Sequence, residues 1–257
     1  MKYDLCIVIP IYKTTLEKME ERSIERTCEV LSRRDIFFVA PEGLQTDNYA
    51  HFLNKENVNV EYFAPKFFKG ISGYNRLMLE KRFYERFSAY DYMLIAQPDA
   101  YILSGRDELD TFMKKGYQYW GAPWNPPLII YRFDFKGVRY LGKFLKPVIC
   151  KSGNGGFSLR HIASTVELLN KKRITAKLWC NNYNEDGFFA YFGHNSSMKW
   201  FNCPPLEDAA SFALEADMKE ALASGKDVFA VHAWEKMLGE YSNLKKYIRT
   251  LDSDLKV

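Results

Sequence analysis

The sequence has little of several features that mark specialised classes of protein. Its 257 residues include five cysteines, 15 glycines and ten prolines. This glycine and proline content is too low for a collagen-like or low-complexity chain. The cysteines form no CxxC pair, which argues against a structural zinc site and favours a reducing compartment. The net charge of +4 is too small to indicate a dedicated nucleic-acid binder, so no nucleic-acid partner is expected.

Long apolar runs are also missing. The first such run, Leu5–Ile9, stops at Pro10, whereas a membrane-spanning helix needs roughly 20 apolar residues. Asp4 interrupts the start and a charged stretch follows Tyr12, so no signal peptide is expected. The sequence contains neither a linker nor an internal repeat, so one domain is predicted over residues 1–257. The cysteine pattern and the lack of a signal peptide predict a cytoplasmic protein.

Several familiar catalytic motifs do not occur. There is no GxxxxGK[ST] phosphate loop, no HExxH helix and no GxSxG elbow. The glycine cluster Gly153–Gly156 does not follow the first strand, as a dinucleotide fingerprint must. These absences count against an ATPase, a zinc protease, a lipase and a dehydrogenase.

Apolar runs alternate with charged helical stretches in the first half. The pattern predicts buried strands at Leu5–Ile9, Ile36–Val39, Val58–Phe63 and Tyr92–Ala96, and helices from Thr14 (capping box with Glu17) to about Arg33 and from about Tyr74 to Phe87. This alternation predicts an α/β fold with a parallel sheet. Ligands of such sheets bind beyond the carboxyl ends of the strands, where the sequence places Pro10–Tyr12, Pro41–Glu42 and Gln97–Asp99.

The second half is less regular. It predicts a strand at Tyr117–Ala122, a rigid turn at Gly121–Pro127, a tight turn at Gly153–Gly156, a helix from about Arg160 to Lys171 and a strand at Val228–Val231. Residues 131–151 contain six basic residues and one acid. A solvated loop is the favoured interpretation of this basic segment, and contact with an anionic acceptor is the alternative.

Four side chains are candidates for chemistry, each with a plainer alternative. Asp99 follows a buried strand and is equally suited to a divalent cation or to capping its loop. Glu185 and Asp186 precede an apolar helix. They either interact favourably with the dipole of that helix or include a general base. His232 ends a strand and is either a metal ligand or a hydrogen-bonded polar residue. Aromatic residues make up 16% of the chain, and core packing is favoured over sugar stacking as their role.

Seven segments, taken in order, resemble the glycosyltransferase-A superfamily, and more closely a bacterial family of uncharacterised domains assigned to it as glycosyltransferases. They are Val8–Lys13, Gly73–Met78, Leu94–Ala100, Gly121–Trp124, Gly153–Arg160, Asn184–Asp186 and His232–Trp234. The resemblance spans residues 4–236. It implies one Rossmann-type mixed sheet flanked by helices, with a nucleotide-sugar half at about 1–105, an acceptor half at about 106–236 and a C-terminal helix at about 237–257.

The resemblance also implies roles for individual residues. A Mn²⁺ or Mg²⁺ ion would bind Asp99 and His232, with Gln97 standing where the superfamily's DxD motif begins. Asp186, beside Glu185, would be the base of an inverting reaction. The donor would contact Pro10, Tyr12, Glu42, Asn75, Arg76, Gln97, Asp99, Gly155 and Gly156. Trp124 and Trp234, with Trp120 as a further candidate, would line the acceptor site.

The implied activity is transfer of a sugar from a nucleotide-sugar to a glycan or lipid-linked saccharide, in bacterial surface polysaccharide synthesis. Peripheral association with the inner face of the membrane is a further expectation. One alternative is a glycoside hydrolase that uses Asp99 with Asp186 or Glu185. The other is a non-catalytic carbohydrate-binding protein on the same fold, which the glutamine at position 97 favours.

Overall fold

A computed structural model of the chain describes residues 3–131, 146–179, 183–215 and 227–236. Most of the basic segment and the predicted C-terminal helix over 237–257 lie outside these described residues. Of the six basic residues in that segment, Lys146 and Lys151 are described.

The main sheet has six strands in the order β3-β2-β1-β4-β7-β6. They are β1 (Leu5–Pro10), β2 (Asp35–Pro41), β3 (Val58–Phe63), β4 (Tyr92–Ala96), β6 (Tyr119–Ile130) and β7 (Val148–His161). The first four strands of this set are parallel, as the βαβ pattern predicts. β7 runs antiparallel to both β4 and β6. The sheet is therefore mixed, as the resemblance implies, rather than wholly parallel.

The sheet separates two hydrophobic cores. Along β1, Leu5, Ile7 and Ile9 enter one core, and Cys6 and Val8 enter the other. All five are at most 4% exposed, because successive side chains of a strand point to opposite faces of the sheet. The continuous apolar run in the sequence is thus explained by burial on both sides.

Each of the three predicted helical stretches contains helix, although the ends differ. The helices are α1 (Lys18–Val30), α2 (Ala50–Leu53), α3 (Gly70–Met78), α4 (Lys81–Glu85), α5 (Leu109–Met113), α6 (Ile162–Lys171), α7 (Arg173–Trp179), α8 (Glu185–Gly193) and α9 (Leu206–Phe212).

Two predicted helices need correction. The first was expected to start at Thr14, but α1 begins at Lys18, because the capping box is formed by Glu17 and Glu20. The Glu17 backbone N–H donates to Glu20 Oε2 at 3.0 Å. The second was expected to be continuous from Tyr74 to Phe87, but the chain forms α3 and α4 with a break at residues 79–80.

Two predicted turns lie inside strands. The segment Gly121–Pro127 belongs to β6, where the pairing with β7 shifts register between Gly121 and Leu128. The segment Gly153–Gly156 belongs to β7, and within it the backbone φ is positive at Gly153 alone, at 137°. The prolines and glycines of these segments lie where the hydrogen-bonded pairing of β6 with β7 is irregular, and they do not end the strands.

A second sheet of three strands, β5 (Ala100–Ile102), β9 (Ala230–His232) and β8 (Ala213–Leu214), covers one end of the main sheet. The late strand predicted at Val228–Val231 corresponds to β9, displaced by two residues at its start. β9 pairs antiparallel with β5, and Ala100 faces His232 in this ladder. This pairing brings the last part of the described chain next to the residues that follow β4.

None of the helices in the described ranges combines the length and apolar character that crossing a bilayer requires.

Candidate active site

A cavity of about 580 Å³ opens at the edge of the sheet where β1 and β4 end. Ten of the predicted site residues line it: Pro10, Tyr12, Asn75, Gln97, Asp99, Gly155, Gly156, Glu185, Asp186 and His232. Topology explains part of this gathering, because Tyr12, Gln97 and Asp99 follow the parallel strands β1 and β4, whose carboxyl ends meet at one edge of the sheet.

The glycines reach the same edge because β7 runs in the opposite direction to β4. Phe157 pairs with Ala96, so the residues before Phe157 lie beside those that follow β4. The Gln97 N–H donates to the Gly156 carbonyl at 2.9 Å. A Cβ at Gly155 would come within 2.8 Å of Glu185 Oε1. Glycine is therefore needed here to let the side chains of the cavity approach the strand.

One end of the cavity is built around His232. Its Nε2 lies 3.4 Å from Asp99 Oδ1 and 3.3 Å from Gln97 Oε1. Its Nδ1 lies 3.5 Å from Glu215 Oε1, and Asn154 Nδ2 donates to the other oxygen of Glu215. The imidazole is buried, whereas the Asp99 side chain is 43% exposed toward the cavity.

The charges around His232 decide its protonation. Burial alone would lower the pKa of this imidazole, but hydrogen bonds and charges from Asp99 and Glu215 outweigh burial and raise its pKa to about 9. For Asp99, burial acts to raise the pKa, and the contact with His232 more than reverses this effect. The pair is accordingly ionised at neutral pH when no cation is bound.

The same atoms fit a divalent cation. Ligand atoms about 2.1 Å from one ion lie roughly 3 Å apart, close to the separations of Asp99 Oδ1 and Gln97 Oε1 from His232 Nε2. The carboxylate and amide oxygens suit Mg²⁺ or Mn²⁺, and the imidazole nitrogen is a ligand typical of transition metals. Binding would release the imidazole proton, because a metal-ligating histidine is neutral.

A compact group of three ligating side chains also occurs elsewhere. Single ligand atoms of Glu21, Glu25 and His51 lie within 4.8 Å of one another. This group is outside the cavity, and its histidine is exposed. We assign it no role.

The two adjacent carboxylates at the start of α8 also line the cavity. Asp186 Oδ1 accepts a hydrogen bond from the Gly187 N–H at 2.6 Å, and Oδ2 accepts one from the Gly155 N–H at 3.4 Å. The Asn75 side chain accepts from the Glu185 N–H at 3.3 Å and donates to Asn184 Oδ1 at 3.0 Å. The start of α8 is thus fixed by contacts from both α3 and β7.

A fully buried arginine stands behind this wall. Arg160 Nη2 contacts both oxygens of Glu185, at 3.1 and 3.4 Å, and its Nη1 donates to Tyr84 Oη at 2.6 Å. The guanidinium also lies over the rings of Tyr119 and Phe189, at 5.4 and 4.9 Å from their centroids. Glu185 is 3% exposed and both its oxygens face Arg160, so it is poorly placed to accept a proton from a substrate.

Asp186 differs from Glu185 in its proton affinity. Burial and the neighbouring charge of Glu185 raise the pKa of Asp186 to about 7, although the two backbone N–H groups and Arg160 act in the opposite direction. A carboxyl group with a pKa near the working pH is suited to general-base catalysis. Of the adjacent pair, Asp186 therefore has the properties of a base.

A second cavity of about 770 Å³ adjoins the first, and six residues line both: Ile71, Asn75, Asn154, Asn184, Asp186 and Glu215. Trp124, Leu128, Tyr183 and Gly187 line the second cavity but not the first. The predicted acceptor residue Trp124 therefore lines the neighbouring space rather than the donor-sized cavity. Asp186 lies at the junction of the two spaces.

Three predicted site residues lie away from both cavities. Glu42 is exposed after β2, and Arg76 is exposed on α3, where its Nη2 donates to Ser72 Oγ at 3.2 Å. Trp234 is fully buried and donates its indole N–H to Ser23 Oγ at 2.9 Å. Trp120 is also fully buried. These indoles form part of the core, so the prediction that they line an acceptor site is wrong.

Four further residues belong to the site and were missed from the sequence. Glu215, Lys236 and Tyr74 line the first cavity, and Arg160 supports it from behind. The buried Tyr74 hydroxyl has no hydrogen-bond partner among the described residues. Arg160 follows the glycine cluster by four residues, and a charged residue directly after the apolar Leu159 is the available signal.

Gly156 provides a test of how closely this end of the cavity is packed. A Cβ at this position would overlap the His232 ring, so Gly156→Ala should displace the imidazole and lower the free energy of unfolding by about 1–3 kcal/mol. Chemical denaturation measures this change. Gly105→Ala is the matched control, because no atom lies within 4 Å of its added Cβ. Equal stability of the two variants would contradict the described packing of His232.

Comparison with known proteins gives a family and a fold. Residues 57–232 match the model of a family described as "Protein of unknown function (DUF5672)". No protein with a curated description matches the chain by sequence.

Solved structures share the fold at low sequence identity. An active-site mutant of LgtC is 15% identical, with a TM-score of 0.55 over 88% of this chain and 86% of its own. The mannosyltransferase Ktr4p from S. cerevisiae in complex with GDP is 11% identical, with a TM-score of 0.52 over 79% of this chain and 74% of its own. The chain has the glycosyltransferase-A fold that these structures represent.

Proposed function

The chain belongs to the DUF5672 family, and from its cavity we propose that it transfers a sugar from a nucleotide-sugar to an acceptor hydroxyl with inversion. One observation carries the proposal: Asp99, Gln97, His232 and Asp186 all line a single cavity. The fold is one that glycosyltransferases use. Fold alone does not define activity, so the argument depends on these side chains.

The nucleotide is proposed to bind beyond the end of β1. Pro10 and Tyr12 line the cavity there, and the Tyr12 ring is 58% exposed. An exposed aromatic ring provides a face for stacking a nucleobase. Among the structures that share the fold, that of Ktr4p is a complex with GDP, which supports a nucleoside diphosphate as the ligand to test.

The diphosphate is proposed to lie against the His232 end. Asp99, Gln97 and His232 would hold a divalent cation there, which when bound neutralises charge on the leaving diphosphate. Lys236 lines the same cavity and supplies a second positive charge for the departing oxygens. We assign to Lys236 the phosphate role first expected of Arg76, because Arg76 is exposed outside the cavity.

Asp186 is proposed to act as the base. Its carboxylate takes the proton of the acceptor hydroxyl as that oxygen attacks the anomeric carbon and the bond to the diphosphate oxygen breaks. The Gly155 and Gly187 N–H groups fix the orientation of the carboxylate. Glu185, held by Arg160, keeps a negative charge beside Asp186 and so maintains its affinity for the proton.

The adjoining cavity is proposed to hold the acceptor, a glycan or lipid-linked saccharide. Trp124 and Tyr183 line it and offer aromatic faces on which a sugar ring can pack, as aromatic side chains combine apolar area with polar edges. Asp186 lines both cavities, so a base at this position would be within reach of a donor in one and an acceptor in the other. A role in bacterial surface polysaccharide synthesis stays a prediction from the resemblance.

Nucleotide binding is the first test of this proposal. UDP, GDP, CMP and dTDP are each added with Mn²⁺, with Mg²⁺ and with a chelator, and thermal unfolding is recorded. A ligand at a hundred times its Kd adds roughly 2.7 kcal/mol of stability, which corresponds to a rise in Tm of about 5–10 °C for a chain of this size. We expect one nucleotide to give this rise, and the chelator to reduce it.

Asp99→Ala is the variant that locates the binding. It should abolish the metal-dependent part of the rise, because a carboxylate at the cation site is lost. Asp110→Ala is the control, since Asp110 pairs with Arg34 on the protein surface. A rise that survives Asp99→Ala, or no rise with any nucleotide, would contradict the proposed donor site.

A further inference from the structure

The short helix α7 exposes apolar side chains that the proposed reaction does not use. Ile174 is 74% exposed and Leu178 is 43% exposed. They are four residues apart and therefore lie on the same side of the helix. On the opposite side, Ala176 and Trp179 are buried and hold the helix against the protein.

Positive charge lies beside this apolar pair. Arg173 and Lys177 are exposed and one helical turn apart. At 100° per residue, both lie beside Ile174 on the exposed side. The nearby Lys171, at the end of α6, is already paired with Glu167 and is not counted. We define the α7 surface as Arg173, Ile174, Lys177 and Leu178.

We propose that the α7 surface docks on an anionic lipid bilayer. Basic residues are attracted to anionic headgroups, and exposed aliphatic side chains can enter the boundary between headgroups and acyl chains. A nucleic acid would pair with the basic residues, but its phosphate backbone offers nothing for Ile174 and Leu178 to contact. The combination of charges with aliphatic side chains therefore favours a lipid surface.

The helix that carries the α7 surface also contacts residues of the cavity assigned to the acceptor. The Trp179 indole N–H at the end of α7 donates to the Asn184 carbonyl at 2.9 Å, and its ring lies 5.2 Å from that of Tyr183. Tyr183 and Asn184 line the cavity assigned to the acceptor. A bilayer on the exposed side of α7 would therefore lie one helix diameter, roughly 10 Å, from the wall of that cavity, within reach of a lipid-linked saccharide. This last step depends on the proposed function, whereas the docking itself does not.

Vesicle co-sedimentation of the full chain tests the docking without donor or acceptor. Vesicles of phosphatidylcholine alone are compared with vesicles that also contain phosphatidylglycerol. We expect binding to the anionic vesicles. Arg173→Gln with Lys177→Gln should weaken binding about 25-fold, at roughly fivefold per basic residue. Ile174→Ser with Leu178→Ser should weaken it at least about tenfold, because apolar area is no longer buried.

Two control pairs separate this surface from general charge and hydrophobicity. Tyr62→Ser with Leu206→Ser removes two exposed apolar side chains, on β3 and α9, away from the basic segment 131–151. Arg33→Gln with Lys55→Gln removes two exposed basic residues near the β3 edge of the sheet. Both pairs should bind like the unmodified chain, and circular dichroism verifies that every variant is folded.

Three results would overturn the inference. They are no binding to anionic vesicles, equal binding of the α7 variants and the unmodified chain, and retention of a DNA duplex by a chain that does not bind vesicles. Nucleotide binding is measured separately, so failure of the docking and failure of the proposed function are distinguishable.

Discussion

Asp186→Asn should abolish sugar transfer while nucleotide binding is retained. The amide has almost the size and shape of the carboxylate, so it can keep the hydrogen bond to the Gly187 N–H, but it cannot accept the proton of an acceptor hydroxyl. General-base catalysis typically contributes about 10²–10⁴-fold in rate. We expect a loss in kcat of that order, measured as product formation, with a nucleotide-induced rise in Tm equal to that of the unmodified chain.

The pH dependence provides a second readout of the same residue. Asp186 acts as a base when it is deprotonated, and its pKa is about 7. The rate should therefore rise with pH through about 7 and fall roughly tenfold per unit below about pH 6. Asp110→Asn is the matched control and should keep both the rate and the profile. Normal turnover in Asp186→Asn would show that another group is the base.

Arg160→Met should destabilise the protein by about 3–5 kcal/mol. Arg160 is fully buried, and its loss would leave Glu185 in the interior without its compensating charge. Removing one partner of a buried ion pair lowers the free energy of unfolding by far more than the intact pair contributes to it, because the remaining charge is left buried without a partner. Methionine preserves much of the apolar bulk of the side chain, so the expected loss arises from the charge. Chemical denaturation measures it.

Two comparisons make this prediction specific. Arg86→Met removes a half-exposed arginine that pairs with Glu61 at 3.5 Å, and surface pairs contribute about 0–1 kcal/mol. Adding Glu185→Gln to Arg160→Met should recover part of the loss, since the amide carries no charge to leave unpaired. An equal effect of the two arginine variants would contradict the role of Arg160 as the charge partner of Glu185.

The strands of the first half could be predicted from the sequence, because burial on both faces of a parallel sheet leaves continuous apolar runs. Val58–Phe63 and Tyr92–Ala96 have the predicted ends. The direction of β7 could not be predicted, because the Gly153–Gly156 cluster indicates a turn as readily as a strand beside crowded side chains. Only the positions of His232 and Glu185 in three dimensions show why side chains are excluded there.

The site was predictable where its residues directly follow strands or begin a helix. Asp99, His232 and Asp186 meet in one cavity for this topological reason. Residues that reach the cavity without following a strand of the main sheet or beginning a helix were not predictable. Glu215 is one of them, and its carboxylate contacts Asn154 and His232 there. The buried tryptophans illustrate the opposite error, because an indole can belong to a motif and still pack in the core.

Sugar transfer with Asp186 as the base is tested by the release of free nucleotide from a panel of UDP-, GDP-, CMP- and dTDP-sugars, in the presence of Mn²⁺ and saccharide acceptors. We expect turnover of one donor class by the unmodified chain, and at least about 100-fold less by Asp186→Asn. Equal release by both proteins, or cleavage of glycans with no nucleotide-sugar consumed, would contradict this assignment.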